Sequence, residues 1–125
     1  MEGERKKTSV VMLSIGVVVV NYCSEVDVLR CLRSLADLEL PATCKESQGV
    51  EIVLVDNCSP DGSGARLKGR EVELGELLGP KFLLSVLLNS ENRGFAAANN
   101  VGHAHLRQHS ATHAWLLNPD TTVDP

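Results

Sequence analysis

Residues 51–56 read Glu51-Ile52-Val53-Leu54-Val55-Asp56, an apolar run closed by a carboxylate. Short runs of β-branched and aliphatic residues are typical of strands that are buried on both faces of a sheet. A second run of this kind, residues 17–20, consists of valines and is followed by Asn21. We therefore predict two buried strands that each end in a polar side chain.

Longer amphipathic segments separate the apolar runs. Residues 82–88 and 114–117 form a third and a fourth apolar run. Helices are predicted over residues 24–41, over residues 64–80 as a helix, a loop and a short helix, and over residues 94–108. This alternation predicts βαβ units and an α/β fold, a parallel-sheet α/β/α sandwich of Rossmann-like form.

Two local features accompany these helices. Ser24, with Asp27 three residues later, matches a capping box at the start of the first helix. Glu71, Glu73 and Glu76 are interpreted as a solvated face of the helical segment before the third strand.

Composition limits the class of protein. The 125 residues suit a single domain, and 43% of them are hydrophobic. Aromatic residues make up 3% and the net charge is -4, so the chain lacks the material for base stacking and for a general attraction to phosphate polymers. We therefore exclude nucleic acid as a partner and expect any anionic ligand to be held locally.

The apolar residues 10–20 are not interpreted as a targeting segment. They follow a short basic stretch, but no small-residue cleavage site comes after them, and a bilayer crossing needs about 20 residues. We expect no membrane span and a cytoplasmic location, with peripheral attachment at the inner face of the membrane open to the full-length protein.

The cysteines and histidines do not predict a metal centre. The cysteines, at positions 23, 31, 44 and 58, include no Cys-x-x-Cys pair, which favours free thiols. His105, His109 and His113 recur every four residues and would share one face of a continuous helix. We expect the helix to end near His109, His113 to begin the next strand, and no Cys or carboxylate to complete a transition-metal site.

Asn or Asp follows each predicted strand. The carboxyl ends of parallel strands meet at one edge of a sheet, where α/β folds bind ligands. The polar residues expected there are Asn21 and Tyr22, Asp56 and Asn57, residues 89–94, and Asn118 and Asp120. Asp56 suits a base imide N–H or a ribose hydroxyl, although an Asp before the turn at residues 59–63 can also cap that turn.

The segment Asn92-Arg93-Gly94-Phe95 directly precedes a predicted helix. Free N–H groups and the positive end of the helix dipole favour an anionic group at this position, and Gly94 permits a close approach. A diphosphate is therefore the predicted ligand. Arg93 either adds a positive charge to this site or is simply solvated.

Four motifs occur in a fixed order along the chain. They are V-V-N-Y at 19–22, V-D-N-C-S-P-D-G-S at 55–63, N-R-G-F-A-A-A-N-N-V-G at 92–102 and W-L-L-N-P-D at 115–120. This ordered set resembles the nucleotide-binding half of family 2 glycosyltransferases with the GT-A fold, especially the bacterial rhamnosyltransferase-like branch. The resemblance implies that residues 15–125 are a partial GT-A domain, truncated just after its metal motif, and that residues 1–14 are an extension reaching the first strand.

The resemblance also implies roles for individual residues. The implied nucleotide-binding residues are Asn21, Tyr22, Asp56, Asn57, Asn92, Arg93, Gly94, Asn99 and Asn118. Tyr22 is open to a second interpretation, as a ring at the edge of the core, and Asn100 is expected to face away from the site. Asn118-Pro119-Asp120 stands where the family carries its D-x-D motif, which makes Asp120 the implied ligand of Mg²⁺ or Mn²⁺. Asn118 replaces the first carboxylate of that motif.

The implied activity is the inverting, metal-dependent transfer of a sugar to a glycan or lipid-linked acceptor, as in cell-wall or polysaccharide biosynthesis. The donor would be a dTDP- or UDP-sugar, with dTDP-rhamnose as one candidate. The family carries its catalytic base in the second half, so no catalytic residue is assigned in this chain. We expect the chain alone to bind donor without transferring sugar, and its exposed sheet edge to permit self-association.

Two alternatives stay open at this point. One is a nucleotidyltransferase, which would favour a glycine-rich, lysine-containing loop after the first strand, where this chain has V-N-Y-C-S at 20–24. The other is a nucleotide-binding module without catalytic activity.

Overall fold

The computed structural model describes residues 14–39, 49–109 and 111–123. The strands are β1 (Ile15–Asn21), β2 (Val50–Asp56), β3 (Phe82–Leu88) and β4 (His113–Leu117). The helices are α1 (Glu25–Ala36), α2 (Ser63–Gly69), α3 (Glu71–Leu78) and α4 (Phe95–Gln108). Most of the predicted N-terminal extension, Pro41 and the polar stretch after it lie outside the described residues.

The strands form one parallel sheet in the order β3-β2-β1-β4. Val18 pairs with Val53 at the centre, and both side chains are fully buried. Helices cover both faces of the sheet, so the predicted α/β/α sandwich is confirmed. His113 begins β4 and His109 follows the last residue of α4, as the sequence predicts.

The two faces of the sheet build two separate cores because strand side chains alternate in direction. Val17, Val19, Ile52 and Leu54 point into the larger core, which α1, α2 and α3 cover. Within the described part of the chain, the opposite face packs against α4 alone. A Cβ placed at Gly102 would lie 2.5 Å from Val18 Cγ1, which shows how closely α4 approaches the sheet.

The capping box predicted at the start of α1 is wrong. Ser24 donates its hydroxyl to the carbonyl oxygen of Tyr22 at 2.8 Å and makes no side-chain cap. In a capping box, the carboxylate of Asp27 would accept a hydrogen bond from the backbone N–H of Ser24. That N–H instead donates to Asn21 Oδ1 at 3.1 Å. Asp27 pairs with Arg30 at 3.1 Å.

The loop predicted between the second and third helices is also wrong, because Arg70 alone separates α2 from α3. Its backbone N–H donates to the carbonyl of Leu67 at 3.1 Å, and its carbonyl accepts from the N–H of Leu74 at 2.8 Å. Main-chain bonding therefore continues past Gly69, whose position in the sequence suggested an interruption.

Glu71 is not part of a solvated face, contrary to the sequence prediction. Its carboxylate accepts a hydrogen bond from the backbone N–H of Val86 at 2.7 Å, on the outer edge of β3. Lys68 donates to the carbonyl of Val86 at 2.9 Å and to Glu71 at 3.1 Å. Two side chains thus bond the backbone N–H and the carbonyl of one residue on the open side of β3, which blunts this edge.

β4 forms the other edge of the sheet, and its residues 113–116 are exposed. Trp115 and Leu116 retain 39% and 54% of their surface, so this edge presents apolar side chains to solvent. No helix within residues 14–39, 49–109 and 111–123 combines the length and the apolar character that a bilayer crossing requires.

Candidate functional site

The carboxyl ends of the strands bring polar residues to one edge of the sheet. Asn21 and Asp56 are the last residues of β1 and β2 and stand side by side in register. Two backbone bonds extend this alignment beyond the strands, from Asn57 N to Asn21 O and from Asn89 N to Asp56 O, each at 2.9 Å. We call this region, comprising residues 21–24, 56–63, 89–94 and 118–120, the polar edge.

A buried hydrogen-bond network joins the ends of β1 and β2. The side-chain amide of Asn21 donates to Asp56 Oδ1 and to Ser63 Oγ, both at 2.9 Å. Asn21 is fully buried and Asp56 is 5% exposed. Because this amide bridges the two strand ends, the positions of the first two loops are coupled.

The carboxylate of Asp56 is occupied by the turn that follows it. Ser59 donates its hydroxyl to Asp56 Oδ1 at 2.6 Å and its backbone N–H to Oδ2 at 3.1 Å. A Cβ at Gly64 would collide with the same carboxylate. Asp56 therefore caps this turn, the second role that its position in the sequence allowed, and both of its oxygens have partners.

Sequence reasoning missed Ser59, Ser63 and Gly64 as neighbours of Asp56. The signal was present, since Ser and Gly after a strand-ending Asp are typical of turns that fold back on the carboxylate. All buried polar side-chain atoms of the described residues have hydrogen-bond partners, so the inner layer of the polar edge is internally satisfied.

Asn57 positions the segment that leads into α4. Its side-chain amide donates to Asn92 Oδ1 at 3.0 Å and to the carbonyl of Gly94 at 3.3 Å. Asn92 Oδ1 also accepts from the backbone N–H of Gly94 at 2.8 Å. Asn57 is 4% exposed, so a buried residue of β2's loop fixes the start of α4.

The N-terminus of α4 lies at the polar edge without a side-chain cap among the described residues. Gly94, the N-cap residue, has φ 100° and ψ 166°, and the first turn contains no acidic residue. The first N–H groups of a helix have no partner inside it and carry the positive end of the dipole. This terminus can therefore receive an anionic group.

The remaining predicted residues differ in exposure. Asn99 is 6% exposed and donates to the carbonyl of Phe95 at 3.2 Å. Asn100 is exposed, yet it borders the same cleft as Asn99, a space of about 350 Å³ between α4 and β4. Tyr22 is 46% exposed. Arg93 is exposed and pairs with Glu91 at 2.9 Å.

Asp120 lies in the exposed turn after β4, together with Asn118. Burial, and then the carboxylate of Asp120, raise the pKa of the Cys31 thiol in α1 to about 11. The backbone N–H of Val123 donates to Ser34 Oγ at 3.0 Å. The segment after β4 thus runs toward α1, on the opposite face of the sheet from α4.

The donor atoms of this turn suit a hard cation but are few. A carboxylate and an amide oxygen are the ligand types that Mg²⁺ and Mn²⁺ accept. Asp120 does not belong to any group of three close metal-ligating side chains found in the part of the chain that the structure describes. Phosphate oxygens or water would have to complete the coordination shell.

One such group of three does exist, at the amino end of the sheet. Glu51, from the start of β2, contacts His105 and His109 of α4. The expectation that no carboxylate accompanies these histidines is therefore wrong, because a residue more than fifty positions earlier in the chain supplies it. His113 lies apart from them, with its Nδ1 bonded to Thr112 Oγ1 at 2.9 Å.

Comparisons with known proteins agree with this architecture. Mannosyltransferase PcManGT from Pyrobaculum calidifontis, solved in complex with GDP-Man and Mn2+, is similar over 86% of this chain and 28% of its own, with a TM-score of 0.64 and 22% identity. S. aureus TarS is similar over 90% of this chain and 17% of its own, with a TM-score of 0.63 and 25% identity. The chain thus spans less than a third of either protein, and no curated protein matches it.

The likeness to PcManGT establishes the fold, a parallel sheet of the GT-A type. The family model described as "Glycosyl transferase family 2" matches residues 14–125, which include every described element and the whole polar edge. The chain belongs to glycosyl transferase family 2.

Proposed function

We propose that this chain is the donor-binding part of an inverting glycosyltransferase that holds a dTDP- or UDP-sugar at the polar edge. The observation that carries the proposal is the convergence of Asn21, Asp56 and Asn57 with the uncapped N-terminus of α4 at the carboxyl ends of the strands. Family membership supports this function over the nucleotidyltransferase alternative.

The nucleoside would lie over the ends of β1 and β2. Tyr22 offers an exposed ring there. Asn21, Asp56 and Asn57 bond mainly to one another and to their own loops, so we assign them the role of shaping this surface. Asn92, Arg93 and Asn118 are exposed beside it and are available for direct contact.

The diphosphate would lie between the N-terminus of α4 and Asp120. The two features lie on opposite faces of the sheet. A ligand that contacts both must therefore extend across the carboxyl ends of the strands. Asp120, assisted by Asn118, would hold Mg²⁺ or Mn²⁺, and the bound cation supplies positive charge to the departing diphosphate. The backbone N–H groups of the first turn of α4, at residues 95–97, would stabilise the same charge.

The sugar transfer itself requires a base outside the assigned residues. The acceptor hydroxyl attacks the anomeric carbon, its proton passes to that base, and the bond to the diphosphate breaks with inversion. dTDP-rhamnose is our candidate donor, and a glycan or lipid-linked sugar our candidate acceptor. We infer that the chain alone binds donor without transferring sugar, and that the full-length enzyme works in the cytoplasm or at the inner face of the membrane.

Calorimetry with dTDP, UDP and Mn²⁺ tests the binding site. We expect nucleotide binding that strengthens with Mn²⁺, and a loss of roughly 10-fold to 100-fold of that affinity in Asp120→Ala, since a contact between charged groups contributes about 1.5–3 kcal/mol. Asp37→Ala, a change of an acidic residue at the end of α1, is the matched control and should bind normally. Binding that ignores both Mn²⁺ and Asp120→Ala would remove the metal assignment.

A further inference from the structure

The cluster of Glu51, His105 and His109 lies at the amino end of the sheet, on the face that α4 covers. His105 Nε2 lies 3.1 Å from Glu51 Oε2, and His109 Nδ1 lies 2.9 Å from the same oxygen. One potential ligand atom from each residue falls within 4.8 Å of the other two. The polar edge is at the far end of β2 and α4, so this cluster takes no part in the nucleotide site.

The elements hold these three groups in place. His105 and His109 are one helical turn apart on α4, and their ring centroids are 4.3 Å apart. Glu51 is fixed within β2, where it pairs with Gly16 on one side and Leu83 on the other. The side chain of Glu51 is 13% exposed and that of His105 is 20% exposed, so the site is partly shielded from water.

Two of the three distances between ligand atoms are close to those of a transition-metal site. Bonds of about 2.0–2.2 Å from tetrahedral Zn²⁺ to imidazole nitrogen and carboxylate oxygen separate neighbouring ligand atoms by about 3.3 Å. The two nitrogen–oxygen distances here, 3.1 and 2.9 Å, need to open by only a few tenths of an ångström. Each ring would then carry its proton on the other nitrogen, leaving the facing lone pair for the metal.

A fourth ligand position is open. His109 is 49% exposed, and with Glu51 it borders a cavity of about 220 Å³ next to Ser14 and Gly49. This space would admit a water molecule to a metal bound by the three residues. Two imidazoles and one carboxylate favour Zn²⁺, Ni²⁺ or Cu²⁺ over Mg²⁺, which prefers oxygen ligands alone.

We propose that Glu51, His105 and His109 bind one transition-metal ion, with Zn²⁺ as the ligand to test, and that the ion ties the C-terminal end of α4 to β2. This metal is distinct from the Mg²⁺ or Mn²⁺ of the nucleotide site in both position and ligand chemistry.

Calorimetric titration of the metal-free chain with ZnCl₂ tests the proposal. We expect saturation at one Zn²⁺ per chain, and affinity at least about 10-fold lower in Glu51→Gln and in His105→Gln. His113→Gln, which replaces an exposed histidine outside the cluster, should bind Zn²⁺ like the unmodified chain. Circular dichroism establishes that each variant is folded. Absence of saturable binding, or equal weakening by His113→Gln and His105→Gln, would overturn the proposal.

A second measurement needs no variant. In ¹H–¹⁵N spectra of the imidazole rings, Zn²⁺ should shift the resonances of His105 and His109 and leave those of His103 and His113 in place, while Mg²⁺ should shift none of them. Uniform shifts of all four histidines would indicate unspecific binding and contradict the assigned site.

Discussion

Gly94 has a backbone conformation that is unfavourable for any residue with a Cβ atom. Its φ of 100° and ψ of 166° fall in a region that is essentially restricted to glycine. A Cβ there would meet no atom within 4 Å, so conformation and not space is the constraint. The carbonyl and N–H of this residue are both bonded by the side chains of Asn57 and Asn92, which hold it in this conformation.

Gly94→Ala is therefore expected to strain the start of α4. We predict a loss of about 1–3 kcal/mol in the free energy of unfolding, together with weaker binding of UDP and Mn²⁺, because the helix N-terminus would be redirected. Urea denaturation and calorimetry measure the two effects.

Gly79→Ala is the matched control for this strain. Gly79 has φ 95° and ψ 175°, also without an atom within 4 Å of an added Cβ, but it follows α3 far from the polar edge. It should lower stability by a similar amount and leave nucleotide binding unchanged. Equal binding by the two variants would show that the conformation of Gly94 does not serve the site.

Sequence reasoning at this scale found the residues but not their bonds. Asn21, Asp56 and Asn57 are recognisable because each follows an apolar run. Their pairing with Ser63 and Asn92 depends on distances between separate loops, which no local pattern contains. The contact of Glu51 with the two histidines of α4 was missed for the same reason, because the sequence pattern identifies Glu51 only as the first residue of a predicted strand.

At the scale of elements, the two edges of the sheet differ in how far other residues cover them. On β3, Glu71 and Lys68 bond the N–H and the carbonyl of Val86. On β4, the outward-facing surface around Trp115 and Leu116 is exposed. One edge is thus protected by charged side chains of the preceding helices, and the other is accessible within the described residues.

Glu71→Gln should destabilise the β3 edge. A hydrogen bond to a charged group contributes about 1.5–3 kcal/mol, so we expect a loss of this order in the free energy of unfolding at pH 7. Glu73→Gln is the control, because the exposed Glu73 pairs only with Arg70 among the described residues, at 2.8 Å, and its effect should be much smaller. Urea denaturation compares them. Equal losses would mean that the bond to Val86 contributes nothing.

The pH dependence of the same pair follows from the pKa of Glu71. Burial tends to raise this pKa, but the hydrogen bond from Val86 N–H and the contact with Lys68 lower it below its usual value of 4.5. A lowered pKa in the folded state stabilises the fold above the pKa of the unfolded chain, and this part is lost as the pH falls through the folded value. Below about pH 4.5, the stability difference between the unmodified chain and Glu71→Gln should therefore shrink.

At the scale of the whole molecule, alternation of strand and helix was enough to predict a parallel sheet covered on both faces. Each strand is short and apolar, and such runs with intervening helices have few other solutions. The interruption that Gly69 indicates is present, since α2 ends at this residue, but the shortness of the link to α3 was not predictable. A single residue is enough because the N–H of Arg70 bonds to Leu67 and its carbonyl accepts from Leu74.

We propose that the chain self-associates through β4 in solution. An accessible apolar edge offers unpaired peptide groups to a second copy, and a lysine placed on such an edge opposes pairing. Light scattering after size exclusion should show a mass that rises with concentration, and Leu116→Lys should return it to that of a monomer. Leu83→Lys, on the protected β3 strand, is the control. A monomer at every concentration, or equal effects of the two lysines, would contradict the proposal.

The cysteines differ in reactivity in a way that allows selective labelling of the polar edge. Cys31 is buried with its pKa raised to about 11, so its thiol stays protonated and unreactive toward alkylating reagents. Cys23 and Cys58 are exposed, with φ of 53° and 61°, in the loops directly after β1 and β2. Once Cys44 is replaced by Ser, a thiol-reactive dye would label only Cys23 and Cys58, at the polar edge where a nucleotide is proposed to lie. The fluorescence of the dye would then report nucleotide binding at the polar edge directly.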